Sequence, residues 1–126
     1  MCKKILIAED EFLNGIYIEG ILLGMGFSVC GIVPSGEEAI EKALLCKPDL
    51  MLLDIFLNDD IDGIEAVMRI HEKIYIPVIY ISGSFNSEIS MNRILSTKHI
   101  GIISKPFTIE QFKECIGRWQ NLHEEV

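Results

Sequence analysis

The sequence predicts an α/β domain: an open parallel sheet with helices on both faces. Three observations carry that expectation. Five short apolar runs alternate with five helix-like stretches. The runs of residues 4–8, 50–53 and 78–81 are continuously apolar apart from Lys4 and Tyr80, as strands buried on both faces are. The connections between runs are long enough to hold helices, which favours parallel pairing with right-handed crossovers.

In chain order, residues 4–8 form a first strand that stops at Glu9-Asp10-Glu11. A helix follows from Phe12 to Leu23, with Leu13, Ile16 and Gly20 on one helical stripe. Gly24-Met25-Gly26 ends it, because glycine accepts a left-handed cap. Phe27 to Val33, rich in β-branched residues, is the second strand. Ser35 with Glu38 makes a capping box for a helix that runs to Cys46 and ends before Pro48. Asp49 to Asp54 is the third strand, and an acidic loop from Asn58 to Gly63 comes next. The third helix carries Ile64, Val67, Met68 and His71 at helical spacing. Val78 to Ser82 is the fourth strand. A fourth helix over about 87–97 has a thin apolar face (Ile89, Ile94, Leu95). Ile100 to Ser104 is the fifth strand. Thr108 with Gln111 caps a last helix striped by Ile109, Phe112, Ile116 and Trp119. Residues 123–126 read as a polar tail, leaving residues 1–122 as one domain.

Composition narrows the function classes. The chain has 126 residues, enough for one domain with a substantial core. No apolar run approaches the roughly 18 residues that span a bilayer, and the first run is too short for a signal-peptide core. Four scattered cysteines without a C-x-x-C pair argue against a zinc ribbon or a dithiol site and fit a reducing cytoplasm. A net charge of −8 disfavours nucleic acid and anionic membrane as direct partners, and favours a basic partner or a metal ion.

In open α/β sheets the site lies outside the carboxyl ends of the strands. Applied here, that rule gathers Glu9-Asp10, Asp54, Ser82 and Lys105. In a flavodoxin-like strand order, 2-1-3-4-5, Asp10 and Asp54 come from neighbouring strands. Two carboxylates about 5 Å apart repel by roughly 3 kcal/mol at an effective dielectric near 20. Lys105 alone does not balance three acids, so either one acid is protonated or a divalent cation sits among them. An all-oxygen set points to Mg²⁺ or Mn²⁺ rather than zinc. An ionised Asp beside such a cation, a Lys ammonium and a Ser hydroxyl is a phosphoryl-transfer arrangement.

Each residue also has a plainer reading. Asp54 alone would be a turn acid, Glu11 a helix-start acid, Ser82 a strand-end hydroxyl and Lys105 a surface lysine. The Asn58-x-Asp60-x-Asp62-Gly63 run imitates half an EF-hand loop. However, Arg69 stands where the bidentate Glu is needed, which excludes calcium. His71 and His99 have no partners at ligand spacing.

The segments Ile7-Ala8-Glu9-Asp10-Glu11, Pro48 to Asp54, Asp62-Gly63-Ile64, Pro77 to Gly83 and Lys105-Pro106-Phe107 together resemble the receiver domain of two-component response regulators. The resemblance covers nearly the whole chain, in order. It implies a flavodoxin-like (βα)5 doubly wound sandwich. It implies that Asp54 accepts a phosphoryl group from a histidine kinase or a histidine phosphotransfer domain. It implies Mg²⁺ held by Asp10, Asp54 and the Phe56 backbone carbonyl, with Glu9 direct or through water. Ser82 and Lys105 would engage the phosphoryl group, and Lys105–Pro106 would be cis. The domain would be a switch rather than a turnover enzyme, meeting an output partner, or a second copy, through the fourth helix, fifth strand and fifth helix. Three departures stand out: Glu9 replaces an aspartate, the loop before Gly63 is one residue longer, and Ile102 occupies the usual Tyr or Phe switch position. Alternatives are a pseudo-receiver interaction module and, further off, a Mg²⁺-dependent aspartyl-phosphate phosphatase. The latter needs an acid two residues past Asp54, where Phe56 stands. An FMN binder is disfavoured by the acidic turn after the first strand.

Overall fold

Strands buried on both faces set the architecture of this chain. The computed structural model describes residues 3–57, 60–83 and 88–124. Asn58 and Asp59 of the acidic loop and Ser87 at the expected start of the fourth helix lie outside them. Strands and helices alternate as β1 (Lys4–Ala8), α1 (Phe12–Gly24), β2 (Ser28–Val33), α2 (Gly36–Cys46), β3 (Leu50–Asp54) and α3 (Gly63–His71). They continue as β4 (Val78–Ser82), α4 (Glu88–Leu95), β5 (Gly101–Ser104) and α5 (Ile109–Glu124). The sheet order is β2-β1-β3-β4-β5 and every pairing is parallel. This is the doubly wound, flavodoxin-like arrangement expected from the sequence.

Successive side chains of a strand point to opposite faces, so each strand feeds two cores. Leu6, Met51, Leu53 and Tyr80 face α2, α3 and α4, where they join Ala39, Val67 and Ile94. Ile5, Ile7, Leu50, Leu52, Ile79 and Ile81 face α1 and α5, where they join Ile18, Leu22, Phe112 and Trp119. Each fully buried aliphatic contributes about 1.5–3 kcal/mol, so β3 with its four central residues is the anchor of the sheet. The register Ala8↔Leu53, Asp54↔Ile81 and Ser82↔Ser104 brings the strand ends to one edge, where the polar side chains gather.

Local signals explain the helix ends. The Glu38 N–H donates to Ser35 Oγ at 3.1 Å, while the Ser35 hydroxyl donates to the Glu38 carboxylate rather than leaving it for the Ser35 backbone. Thr108 and Gln111 make the full reciprocal box. Asp62 caps α3 through the Glu65 N–H at 2.9 Å, a cap the sequence reading did not assign. α5 continues to Glu124, two residues into the stretch expected as tail.

The α1 stripe needs correction. Leu13 is 80% exposed and Ile16 is 42% exposed, and the helix packs instead through Gly15, Ile18 and Leu22. The helix is apolar nearly all round, so periodicity gives no buried face. Gly15 decides it, because a Cβ there would run into the Ile32 side chain. Smaller adjustments follow the same logic: Met68, Leu95 and Ile109 lie at the exposed margins of their stripes.

Candidate functional site

Asp54 ends β3 where the sheet stops, and only 6% of it is exposed. Its two carboxylate oxygens are both engaged. The Phe56 N–H donates to Oδ1 at 2.9 Å, and the Lys105 ammonium donates to Oδ2 at 2.8 Å. The same ammonium donates to Glu9 Oε2 at 2.9 Å. Glu9, just past β1, is buried, and its other oxygen accepts the Glu11 N–H at 3.2 Å. Asp10 is half-buried beside them. One carboxylate oxygen from each of Glu9, Asp10 and Asp54 lies within 4.8 Å of the others.

Lys105 reaches this cluster because its own backbone is fixed. Its N–H donates to the Ser82 carbonyl at 2.9 Å, continuing the β4–β5 ladder, and the Lys105–Pro106 peptide is cis. Ser82 is fully buried at the end of β4, one residue past the Asp54 partner Ile81. The structure therefore brings Glu9, Asp10, Asp54 and Lys105 together and sets Ser82 on the adjoining strand. The Phe56 side chain is about half exposed over the same edge.

The electrostatics are unbalanced in the direction that attracts a cation. Burial raises the Glu9 pKa above the ordinary carboxylate range, opposed by the Lys105 hydrogen bond and reinforced by the Asp54 charge. Burial also works against the Lys105 ammonium, but its bonds to Asp54 and Glu9 outweigh that, and its pKa is raised. One lysine shared by two of three clustered carboxylates leaves excess negative charge among hard oxygen donors. That donor set fits a Mg²⁺-type cation.

His71 and His99 take plain structural roles. His71 Nε2 lies 2.9 Å from the Ile76 carbonyl and His99 Nδ1 lies 2.9 Å from the Thr97 carbonyl. Trp119 is core. The sequence reading missed Arg93, which grips Asp62 through both nitrogens at 2.7 and 3.0 Å. No local spacing announces a contact across 31 positions. Ile102 is half-buried and is the register partner of Tyr80.

Comparison with known proteins agrees with this geometry. The family model described as "Response regulator receiver domain" matches residues 5–117. The transcriptional regulatory protein PdtaR of Mycobacterium tuberculosis is 32% identical over 114 residues, covering 90% of this chain and 55% of its own. The chain spans about half the length of the first curated relatives it matches. Among solved structures, the N-terminal domain of a response regulator/sensory box/GGDEF 3-domain protein from Carboxydothermus hydrogenoformans superposes with a TM-score of 0.85 at 29% identity, over 98% of both chains. The anti-anti-sigma factor PhyR from Bartonella quintana superposes with a TM-score of 0.78 at 30% identity, over 99% of this chain and 50% of its own. Fold, site edge and family match agree, and this chain belongs to the response regulator receiver domain family.

Proposed function

We propose that Asp54 accepts a phosphoryl group from the phosphohistidine of a histidine kinase or a histidine phosphotransfer domain, and that the domain signals through the change that follows. The observation that supports this most is the Asp54 carboxylate itself. It is nearly buried, oriented by the Phe56 N–H and neutralised by a lysine that already bridges to Glu9.

In the transfer, an Asp54 oxygen forms a bond to phosphorus as the donor's P–N bond breaks, and the electron pair leaves with the imidazole, which takes up a proton. Asp10, Asp54 and the Phe56 carbonyl would hold Mg²⁺ (or Mn²⁺), with Glu9 direct or through water, and the ion would neutralise charge on the transferred group. Lys105 follows one phosphoryl oxygen and the Ser82 hydroxyl donates to another. The domain remains a signalling acceptor and not a turnover enzyme. The exposed apolar side chains of α1 flank this edge: Leu13, Ile16 and Tyr17, the last stacked on Phe107 with centroids 6.2 Å apart. They suit docking of an apolar surface of the donor. The α4–β5–α5 face meets the output partner or a second copy of the chain. We place this activity in the cytoplasm, where the free thiols of Cys30, Cys46 and Cys115 persist.

A pseudo-receiver reading has one observation in its favour, the aliphatic Ile102, and one relative's name, the anti-anti-sigma factor PhyR. It leaves the poised Lys105–Asp54 contact without a use. Intact mass after incubation with a small phosphodonor and Mg²⁺ tests the proposal. One added phosphoryl on wild type and none on Asp54→Ala is expected; no adduct on wild type sinks it.

A further inference from the structure

Among the described residues, two side-chain hydrogen-bonded contacts tie α4, and Thr97 just past it, to the rest of the fold beside the core packing of Ile94. Neither involves residue 102. At the first, Arg93 Nη1 donates to Asp62 Oδ2 at 2.7 Å and Nη2 donates to Asp62 Oδ1 at 3.0 Å. Asp62 is the α3 cap, and the residue after it lies against the phosphoacceptor strand. The Gly63 N–H donates to the Ile55 carbonyl at 2.9 Å, and a Cβ on Gly63 would run into the Asp54 carbonyl oxygen. At the second point, Tyr80 and Thr97 place their hydroxyl oxygens 2.6 Å apart in the core. Thr97 spends its proton on the Ile94 carbonyl at 3.0 Å, so Tyr80 is the donor to Thr97. Tyr80 lies on β4 two residues before Ser82 and opposite Ile102. An aromatic ring is thus present beside the usual switch position, but on the neighbouring strand and tied to the end of α4.

We propose that the bidentate Asp62–Arg93 pair is a latch that holds α4 in its resting position, and that the state of Asp54 is read out as release of α4 from Asp62 about the Tyr80–Thr97 anchor. This rests on the reading of Asp54 as the phosphoacceptor. The two fastenings differ in the way a switch requires. The Arg93 and Asp62 side chains are 43% and 24% exposed, so water competes for the pair and it biases α4 without locking it. The Tyr80–Thr97 contact is buried and has no such competitor. The pair links α4 to the residue beside the Asp54 backbone, and β4 links Tyr80 to Ser82. The two routes from the site to α4 therefore bypass Ile102.

Linkage supplies the test. A latch that favours the resting state weakens any ligand of the active state by the factor through which it favours rest. The probe is beryllofluoride with Mg²⁺, a phosphoryl mimic, titrated by calorimetry into the full chain. Arg93→Ala and Asp62→Asn are the variants; asparagine keeps the α3 cap and loses the charge. Each is expected to bind the probe about two- to five-fold more tightly than wild type. The double variant should gain no more than the better single. Unliganded Arg93→Ala should melt slightly below wild type, so affinity and stability move in opposite directions. An ion pair with only a structural role lowers the melting temperature and leaves affinity unchanged; that result, or weaker binding, overturns the latch. If wild type does not bind the probe at all, the phosphoacceptor reading itself fails. A wild type that binds with variants that match it removes the latch alone.

Discussion

Two carboxylate–cation contacts in this domain use the same chemistry in different surroundings. Lys105 bridges Glu9 and Asp54 at the strand edge, where the carboxylate side chains are 1% and 9% exposed. Arg93 grips Asp62 between α4 and α3, where both partners reach solvent. At the first place water cannot stand in for a missing partner, so charge must be balanced by protein or by a bound cation. At the second place water can replace either partner at little cost. Burial therefore separates a contact suited to holding reactive charge from one suited to being made and broken.

The largest expected effect comes from breaking the buried contact. Lys105→Met leaves Glu9 and Asp54 as neighbouring buried carboxylates and should cost about 3 kcal/mol in urea unfolding without divalent cations. Adding Mg²⁺ should recover part of that loss, because a cation among the same oxygens replaces the lost ammonium. Wild type and variant whose stabilities both fail to rise with Mg²⁺ would mean that the acids do not form a cation site. By contrast, Arg93→Ala in the same assay should cost no more than about 1 kcal/mol, with little dependence on Mg²⁺.

Acidity and alkalinity should separate the two contacts further. The Lys105 pKa lies above its ordinary 10.5, so its contribution to stability is complete below that value and is lost as pH rises through the folded-state pKa. For Asp62, burial is outweighed by the Arg93 hydrogen bond, and its pKa lies below the ordinary 3.8. Its contribution is present above that value and is lost as pH falls through the folded-state pKa. Glu9 has the opposite sign to Asp62: its raised pKa means that acid relieves the cost of its buried charge. Stability curves against pH should thus lose their Arg93-dependence in strong acid, and from neutrality upward should keep their Lys105-dependence until strong alkali. A Lys105 contribution that disappears near neutrality would contradict this assignment.

The parts of the molecule that were legible in the sequence are those where one signal suffices. β3 and β4 are continuous apolar runs because both their faces are covered, and Asp54 and Ser82 mark where the apolar runs end. The position of the site then follows from topology, since parallel strands end at a common edge. α1 was legible as a helix but not in its orientation. Phe12, Leu13, Ile16, Tyr17 and Leu23 are as apolar as Ile18 and Leu22, and only the close approach of Gly15 to Ile32 fixes the buried side. The Asp62–Arg93 pair was illegible for a different reason: it joins two helices through side chains whose meeting depends on packing, not on spacing. The role of Glu9 shows the same limit. Its place at the acidic strand edge follows from the strand end, but its bond to Lys105 required the β5 register.

The chemical nature of the phosphoryl linkage tests the central claim most directly. Phosphorylated protein is treated with hydroxylamine, which cleaves acyl phosphates and leaves serine esters intact, and the products are mapped by peptide mass. The account predicts that the phosphoryl group is lost and that a hydroxamate appears at Asp54. A phosphoryl group that survives treatment and maps to Ser82, or a hydroxamate confined to Glu9 or Asp10, would contradict it.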